Sequence, residues 1–531
     1  MRSRRFKKYF SLTMIVVLIA GMVLTGCGGK EGETSNPAQE ISEVTVPQHL
    51  VIGEQFDLKG YDPGSSMSDF VRALVYNNLV ELDMDFKKSP GLAESWETSG
   101  DGTIWTFELR QNVVFHDGSP WDAEAAKINL DIRKEGTGKG WLTAVEEVEV
   151  VGSHTLAVHL KEPVYTFDSD LTPPFLAMVS PKAFDEEGNV IEAIGTGPFK
   201  LTSWTTDSEF VMERNEDYFA GAPILEKITF KVIPDAETRA MALQAGEIDM
   251  MSGREALTAV QRLKAQPNMK LVKEMSQTSE VLFFNVYEGP FNDIKVRQAV
   301  AHAINFDEMV PVLLEDLAEA PMNFFSQAYG EYMDNNLSLP KYDVDKAKEL
   351  LREAGWEDKD ANGILEKNRE PLKARLVLGA KNEEDKILSA VIQDKLKDIG
   401  MEIELVHLEG GALREALTEK DYDMIMIGQW SVPHDDPTSH YLRGYWHSDS
   451  SYTIYTSSEL DAKIEKLHLS LDTAERLKLH REIQAEILEN TSVLMVFHRN
   501  NVMVMNEKVQ DFEISTGTWQ IFRGLTKTSI R

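Results

Sequence analysis

Strand-forming and helix-forming segments alternate along the second half of this chain, and that alternation constrains the fold most strongly. Residues 281–286 are apolar apart from Asn285, as expected of a strand that is buried on both faces. A helix is predicted over 383–399, where apolar side chains fall on one stripe and Gly400 ends the pattern. Strands are predicted at 401–405 and 422–427. This order predicts an α/β architecture.

The first half of the chain is richer in antiparallel pairs. Residues 145–151 are predicted to pair with 155–160, and residues 199–204 with 209–214. We therefore expect two α/β lobes, one of which carries an additional β-rich subdomain.

Composition excludes several classes of protein. The 531 residues include 55 Lys+Arg and 87 Asp+Glu, a formal net charge of −32. Such an acidic chain lacks the basic footprint that binding to nucleic acid or to anionic lipid requires. One cysteine permits no intramolecular disulfide and excludes Cys-rich zinc sites.

The N-terminus has the pattern of a secretion signal. Five basic residues precede an apolar run at 12–24, which is too short to span a membrane and suits the core of a signal peptide. The run ends in Leu-Thr-Gly-Cys at 24–27, which resembles a bacterial lipoprotein box. The resemblance implies a signal peptide at 1–26 and a lipid on Cys27. Cleavage would leave 50 Lys+Arg against 87 Asp+Glu, a charge of −37. The polar residues 27–46 are predicted to be a flexible tether.

Several short motifs occur in one order along the body. They are FHDG at 115–118, GTGPF at 195–199, RNEDYF at 214–219, LQAGEID at 243–249 and VRQAV at 296–300. In this order and spacing they resemble the solute-binding proteins of ABC transporters that carry peptides and nickel, known as solute-binding family 5. The resemblance covers residues 49 to 510, and it implies a two-lobed periplasmic-binding-protein (type II) fold that closes on a solute like a hinge.

The same resemblance implies the organisation and the partners of the chain. Lobe I, with the β-rich subdomain, is expected to comprise 47–275 and 495–531, and lobe II to comprise 276–494. The partners would be the permease and ATPase subunits of an importer, with a monomeric receptor held by its lipid on the outer face of the cytoplasmic membrane. Where an outer membrane is present, this location is the periplasm. No motif for a metalloprotease, a serine hydrolase or a P-loop is found, so we do not expect an enzyme.

The segment after the predicted strand at 422–427 bears on the identity of the solute. In peptide-binding members of the family an aspartate usually stands three residues after a tryptophan and pairs with the peptide's amino terminus. Here Trp430 is followed by Pro433 at that position. Asp435 and Asp436 are displaced from it, so an amine-binding role for them stays open. Trp-x-x-Pro followed by Asp-Pro resembles instead the nickel-binding branch.

A second match supports that branch. Arg443 and His447 form an Arg-x-x-x-His, which in nickel receptors supplies the protein's direct ligand to the metal. Imidazole suits nickel, and a small chelator such as free histidine would complete the coordination. The resemblance therefore implies His447 as metal ligand and Trp430 as a wall of the cleft. His434 and His440 lie in the same loop and are further candidates, His434 for the solute and His440 for the metal.

The carboxylates of a chelator need a basic partner. Nickel receptors place an arginine just before a Trp-Leu pair, but before Trp141-Leu142 the basic residues are Lys139 and, further back, Arg133. A lysine is a point charge without the bidentate fork of arginine, and Arg443 is an alternative clamp. Trp105 is a candidate aromatic wall.

Two solutes therefore stay open at this stage. The preferred reading is a receptor for a nickel or other divalent metal chelate, which would be transported rather than held as a permanent cofactor. The alternative is a receptor for short peptides.

Overall fold

The structure is a computed structural model that describes residues 46–64, 71–253, 256–380, 383–428, 435–438 and 442–531. Residues 46–531 form one compact unit. The predicted signal peptide, Cys27 and nearly all of the predicted tether lie outside the described residues.

A mixed sheet of eleven strands organises the described part of the chain. Ten strands lie in the following spatial order: Glu402–Leu408, Lys373–Gly379, Met424–Gly428, Met269–Phe284, Val493–Asn506, Met250–Ser252, His49–Glu54, Lys227–Val232, Glu209–Arg214 and Phe199–Thr205. The eleventh, Ala318–Glu319, pairs with Val493–Asn506. Both parallel and antiparallel pairs occur, and the predicted pairing of the last two strands is confirmed.

Two long antiparallel strands, Met269–Phe284 and Val493–Asn506, run through the middle of this sheet. Their register shifts between Met275 and Ser279 and again between Glu280 and Val281. The polar side chains at this irregularity, Ser276 to Glu280, are all buried. Ser276 Oγ donates to the carbonyl of Arg499 at 2.8 Å, across the two strands. The predicted boundary of the lobes at 275/276 therefore falls at a break in the ladder.

A separate four-stranded antiparallel sheet confirms the predicted β-rich subdomain. Its strands are, in spatial order, Ala93–Thr98, Ile104–Leu109, Thr155–Leu160 and Val145–Gly152. One face covers an apolar core that includes Phe107 and Trp121. Three further two-stranded pairs join Val80–Leu82 to Lys88–Pro90, Glu366–Lys367 to Glu370–Pro371, and Val509–Gln510 to Ser529–Ile530.

The α-helices of the described residues cover the sheets. They are Arg72–Val75, Ala123–Glu135, Phe167–Asp170, Ala236–Ala245, Leu257–Lys264, Ile294–Ala303, Phe306–Leu313, Val344–Glu353, Glu383–Lys397, Gly410–Glu419, Arg443–Trp446, Ser458–Leu469 and Thr473–Asn490. Asp122 caps the second helix, because its carboxylate accepts from the amide of Ala125 at 2.9 Å. Gly400, in the left-handed conformation at φ 84°, follows the helix that it was predicted to end.

The GTGPF motif lies against the segment 74–76. A Cβ on Gly195 would come within 2.1 Å of the Val75 carbonyl oxygen, so a side chain is excluded there by close approach of two backbones. The Gly197 amide donates to the same oxygen at 2.9 Å. His116 Nε2 donates to the Gly197 carbonyl at 3.0 Å, which joins the FHDG motif to this contact.

Candidate functional site

His447 is buried beside two carboxylates. It follows the short helix Arg443–Trp446, and only 7% of its surface is exposed. Its Nδ1 contacts Asp449 Oδ1, and its Nε2 lies 3.0 Å from Glu465 Oε1. Within the described ranges, His447, Asp449 and Glu465 are the one set of three His, Cys, Asp or Glu residues whose ligand atoms all lie within 4.8 Å of one another.

Arg443 completes this cluster. Its Nη2 lies 2.6 Å from Asp449 Oδ2 and its Nη1 lies 3.2 Å from Glu465 Oε1. Burial opposes the charge of Asp449, but hydrogen bonds from His447 and Arg443 hold its pKa below the ordinary value. The guanidinium of Arg443 is therefore engaged with these two carboxylates.

Trp430, His434 and His440 lie outside the described residues. Of the same loop the structure describes 435–438. Asp436 Oδ2 is 2.6 Å from Arg476 Nη2, and both side chains are 2% exposed. Tyr332 donates its hydroxyl to Asp436 at 2.9 Å. This buried pair fixes the described part of the loop to the helix Thr473–Asn490.

The loop faces residues that the sequence analysis assigns to the other lobe. Lys88 Nζ lies 2.9 Å from both carboxylate oxygens of Asp168. Burial opposes the charge of Lys88, but Asp168 and then Asp435 raise its pKa above the ordinary value. Asp435 is thus close enough to act on a lysine of the predicted lobe I. Sequence reasoning missed Lys88 and Asp168, since they belong to no motif.

A basic cluster lies at the other end of the segment 170–175. Arg133 is 3% exposed, and its Nη1 is 2.5 Å from Asp62 Oδ1. Its Nε and Nη2 have no hydrogen-bond partner among the described residues. Burial first, and repulsion from Arg133 in addition, lower the pKa of Arg72 to about 10, so the Arg72 guanidinium stays charged at neutral pH.

Two aromatic rings border this basic cluster. The Arg72 guanidinium lies 5.2 Å from the ring centre of Phe175, which is in turn 5.8 Å from that of Trp141. At most about 18 Å of extended chain separates Asp170 from Phe175. Lys139 is exposed nearby. Arg133, a sequence candidate, thus lies in a cluster with Arg72, which the sequence analysis did not single out.

Trp105 lies in the core of the four-stranded sheet. It is buried, with its ring centre 6.5 Å from that of Phe107 and 6.0 Å from that of Phe167. Phe167 begins the short helix that carries Asp168, so the contact with Trp105 packs that helix against the core of the four-stranded sheet. Its Nε1 has no hydrogen-bond partner among the described residues.

The chain has an α/β fold on a mixed central sheet, and charged clusters from the two predicted lobes face each other. This arrangement is typical of extracytoplasmic solute-binding proteins. The sequence profile described as "Bacterial extracellular solute-binding proteins, family 5 Middle" matches residues 87–452. The chain therefore belongs to this family, as the motifs predicted. The family consists of the substrate-binding receptors of ABC importers and not of enzymes.

Relatives of both predicted solute types are found. The nickel-binding periplasmic protein of Escherichia coli (strain K12) is 29% identical over 449 residues, which cover 82% of this chain and 86% of that protein. The oligopeptide-binding protein AppA of Bacillus subtilis (strain 168) is 25% identical over 529 residues, 96% of each chain. The crystal structure of NikA from Brucella suis in complex with Fe(III)-EDTA superposes with a TM-score of 0.84 at 27% identity, covering 91% of this chain and all of that one. The resemblance to the nickel-binding branch is thus confirmed.

No helix among the described residues is both long enough and apolar enough to cross a membrane.

Proposed function

We propose that this chain is the receptor that captures a chelate of nickel, or of a similar divalent metal, for an ABC importer. The observation that carries the proposal is the cluster of His447, Asp449 and Glu465, whose ligand atoms lie within 4.8 Å of one another. Imidazole and carboxylate together suit nickel. To bind the metal, one ring nitrogen of His447 would give up its hydrogen bond and coordinate the ion. The carboxylate that accepts that hydrogen bond would then become a second ligand.

The basic cluster supports the chelate. Arg133 has two nitrogens without a hydrogen-bond partner among the described residues, and Arg72 lies beside it. Among the described residues, these two guanidiniums face one carboxylate, that of Asp62, which pairs with Arg133. A site with surplus buried positive charge favours a ligand with carboxylates, and the fork of an arginine matches a carboxylate in geometry.

The second candidate solute is a short peptide. It is favoured by Asp170, a buried carboxylate that forms no ion pair with a described residue, because an ammonium group needs such an acceptor. The likeness to an oligopeptide-binding protein points the same way.

The remaining parts of the proposal concern organisation. We place the cleft between lobe I, residues 47–275 and 495–531, and lobe II, residues 276–494. Closure would bend the two long central strands, and the register shifts near Ser279 support that position for the hinge. The monomeric receptor would be held by a lipid on Cys27 outside the cytoplasmic membrane and would deliver its solute to the permease and ATPase subunits.

Isothermal titration calorimetry tests the solute. Nickel alone, nickel with histidine, and a random pool of di- to pentapeptides are titrated into the purified chain. We expect saturable heat with nickel and histidine at one site per chain. His447→Ala should abolish it, because the imidazole ligand is lost, and thermal melting would verify that the variant is folded.

The matched control is His159→Ala. His159 also contacts a carboxylate, Glu149 at 2.9 Å, but on the exposed face of the four-stranded sheet. This variant should bind like the wild type. Peptide binding without any response to metal would overturn the metal proposal. Full metal affinity in His447→Ala would show that His447 is not a metal ligand.

A further inference from the structure

Three residues join the two predicted lobes where the helix Thr473–Asn490 begins. Tyr165 belongs to predicted lobe I and lies between the four-stranded sheet and the short helix Phe167–Asp170. Its hydroxyl shares a hydrogen bond of 2.8 Å with Thr473 Oγ1, and its ring centre lies 4.8 Å from Arg476 Cζ. Thr473 and Arg476 belong to predicted lobe II. We call Tyr165, Thr473 and Arg476 the clasp.

An apolar contact between the same two regions lies close to the clasp in sequence. Gly102 is in the turn between the strands Ala93–Thr98 and Ile104–Leu109 of predicted lobe I. A Cβ placed on Gly102 would lie 3.1 Å from Leu471 Cδ2 of predicted lobe II and 3.3 Å from Pro163 Cβ. The two predicted lobes therefore meet in more than one contact here, and the clasp is not an isolated pair.

Arg476 is held in position from within predicted lobe II. Its Nη2 lies 2.6 Å from Asp436 Oδ2 and 2.9 Å from Thr438 Oγ1, and its Nη1 donates to the Leu467 carbonyl at 2.5 Å. The N–H groups of a guanidinium point outward in its plane, so these bonds engage its edge. Its flat face remains free to stack, and the ring of Tyr165 covers it.

The stacking of Tyr165 on Arg476 is the stronger part of the clasp. A guanidinium is weakly hydrated and stacks on aromatic faces. The side chain of Arg476 is only 2% exposed, and a cation over a ring is stabilised more when both are removed from water than at the surface. The hydroxyl bond to Thr473 is exposed, so water competes for it and it contributes less.

We propose that the clasp holds the two lobes closed through contacts between protein groups alone. This rests on the proposed receptor with its two lobes and adds what keeps them together. Opening would separate Tyr165 from Arg476, whereas the bonds of Arg476 within its own lobe would stay intact. The closed and open states therefore differ by the stacked contact, and its loss shifts the population toward the open state.

The clasp also connects closure to the described part of the loop after the strand Met424–Gly428. Arg476 bonds Asp436 of this loop, and Tyr332 donates its hydroxyl to the same carboxylate at 2.9 Å. The guanidinium that fixes the loop is thus the one that the other predicted lobe covers. A test of the clasp must leave Arg476 in place, because its removal would unpair Asp436, and Tyr165 is the residue to change.

Small-angle X-ray scattering tests the clasp without any solute. The purified wild type and its variants are measured in buffer free of nickel, histidine and peptide. Each curve is fitted as a mixture of this structure and one rotated open at the predicted hinge. We expect the wild type to be mostly closed. Tyr165→Leu removes the ring at a half-buried position and should raise the ratio of open to closed chains about tenfold.

Two controls identify the contact that is responsible. Tyr165→Phe keeps the ring and loses the hydroxyl, so the ratio should change by less than about threefold. Tyr287→Leu is the matched control, because Lys420 Nζ lies 5.6 Å from the ring centre of Tyr287 but both residues belong to predicted lobe II. This variant removes a cation–ring contact within one lobe and should scatter like the wild type.

A wedge distinguishes failure of the clasp from failure of the two-lobe arrangement. Thr473 is exposed at the contact, and Thr473→Trp should force the lobes apart whatever holds them together. If this variant opens while Tyr165→Leu scatters like the wild type, the clasp is overturned and the lobes stand. A wild type that is mostly open also overturns the clasp. If every variant fits the closed structure alone, the two-lobe arrangement falls and the clasp with it. The metal proposal is tested separately, by calorimetry with His447→Ala.

Discussion

Replacing Arg476 by methionine is expected to lower the free energy of unfolding by about 3–5 kcal/mol, because it leaves the Asp436 carboxylate buried without its cation. Both side chains are 2% exposed and 2.6 Å apart, so water cannot take the place of the guanidinium. Arg476 also donates to the Leu467 carbonyl at 2.5 Å and to Thr438 Oγ1 at 2.9 Å. Urea denaturation measures the loss.

Two controls separate burial of charge from loss of packing. Arg476→Met combined with Asp436→Asn removes both charges and should cost less than Arg476→Met alone. Lys373→Met breaks an exposed pair with Glu402, at 2.9 Å, and should change the free energy of unfolding by less than about 1 kcal/mol. If Arg476→Met lowered the free energy of unfolding as little as Lys373→Met, the Arg476–Asp436 pair would not be what fixes this loop.

His116 is expected to make the protein sensitive to acid. Burial lowers the pKa of His116 to about 4, against an ordinary value of 6.5 in the unfolded chain. The unfolded state therefore takes up a proton first as the pH falls, and the free energy of unfolding decreases between about pH 6.5 and 4. From pH 7 to 4.5 this one group would remove about 2 kcal/mol.

Urea denaturation of the wild type and of His116→Gln at pH 7 and pH 4.5 measures this contribution. Glutamine can still donate to the Gly197 carbonyl but does not titrate. The wild type should lose about 2 kcal/mol more than the variant over this interval. The same loss in both proteins would mean that His116 is not held neutral by burial.

Local sequence patterns predicted much of the fold. The helix Glu383–Lys397 begins at the predicted residue and ends two residues before the predicted end, and the paired strands of the β-rich subdomain lie within a residue or so of their predicted positions. These elements have regular apolar spacing, clear caps or glycine ends. Their secondary structure follows from the local conformational preferences of neighbouring residues.

The central strands were harder to predict because distant residues determine them. Only residues 281–286 of the first long strand were expected, whereas the strand extends over Met269–Phe284. Ser276 to Glu280 are polar and resemble a loop in sequence, but the pairing with Val493–Asn506 buries them. Tertiary context overrides local preference here.

The same distinction between local and distant determinants applies to the charged sites. His447 was expected in a polar loop, and its burial between Asp449 and Glu465 depends on the helix Ser458–Leu469, which the sequence analysis did not predict. Arg133 was found through its proximity to a Trp-Leu pair. Asp170 belongs to no motif, and two of its acidic neighbours in space, Asp435 and Asp436, come from a segment more than 260 residues away.

Native mass spectrometry tests the central claim most directly, since it weighs the solute that the receptor selects. The purified chain is incubated with nickel, histidine and the peptide pool together and then transferred to volatile buffer. We predict one added mass per chain, equal to nickel with its bound histidine, that is absent from His447→Ala. A mass corresponding to a metal-free peptide, or no added mass at all, would contradict the account of this protein as a metal-chelate receptor.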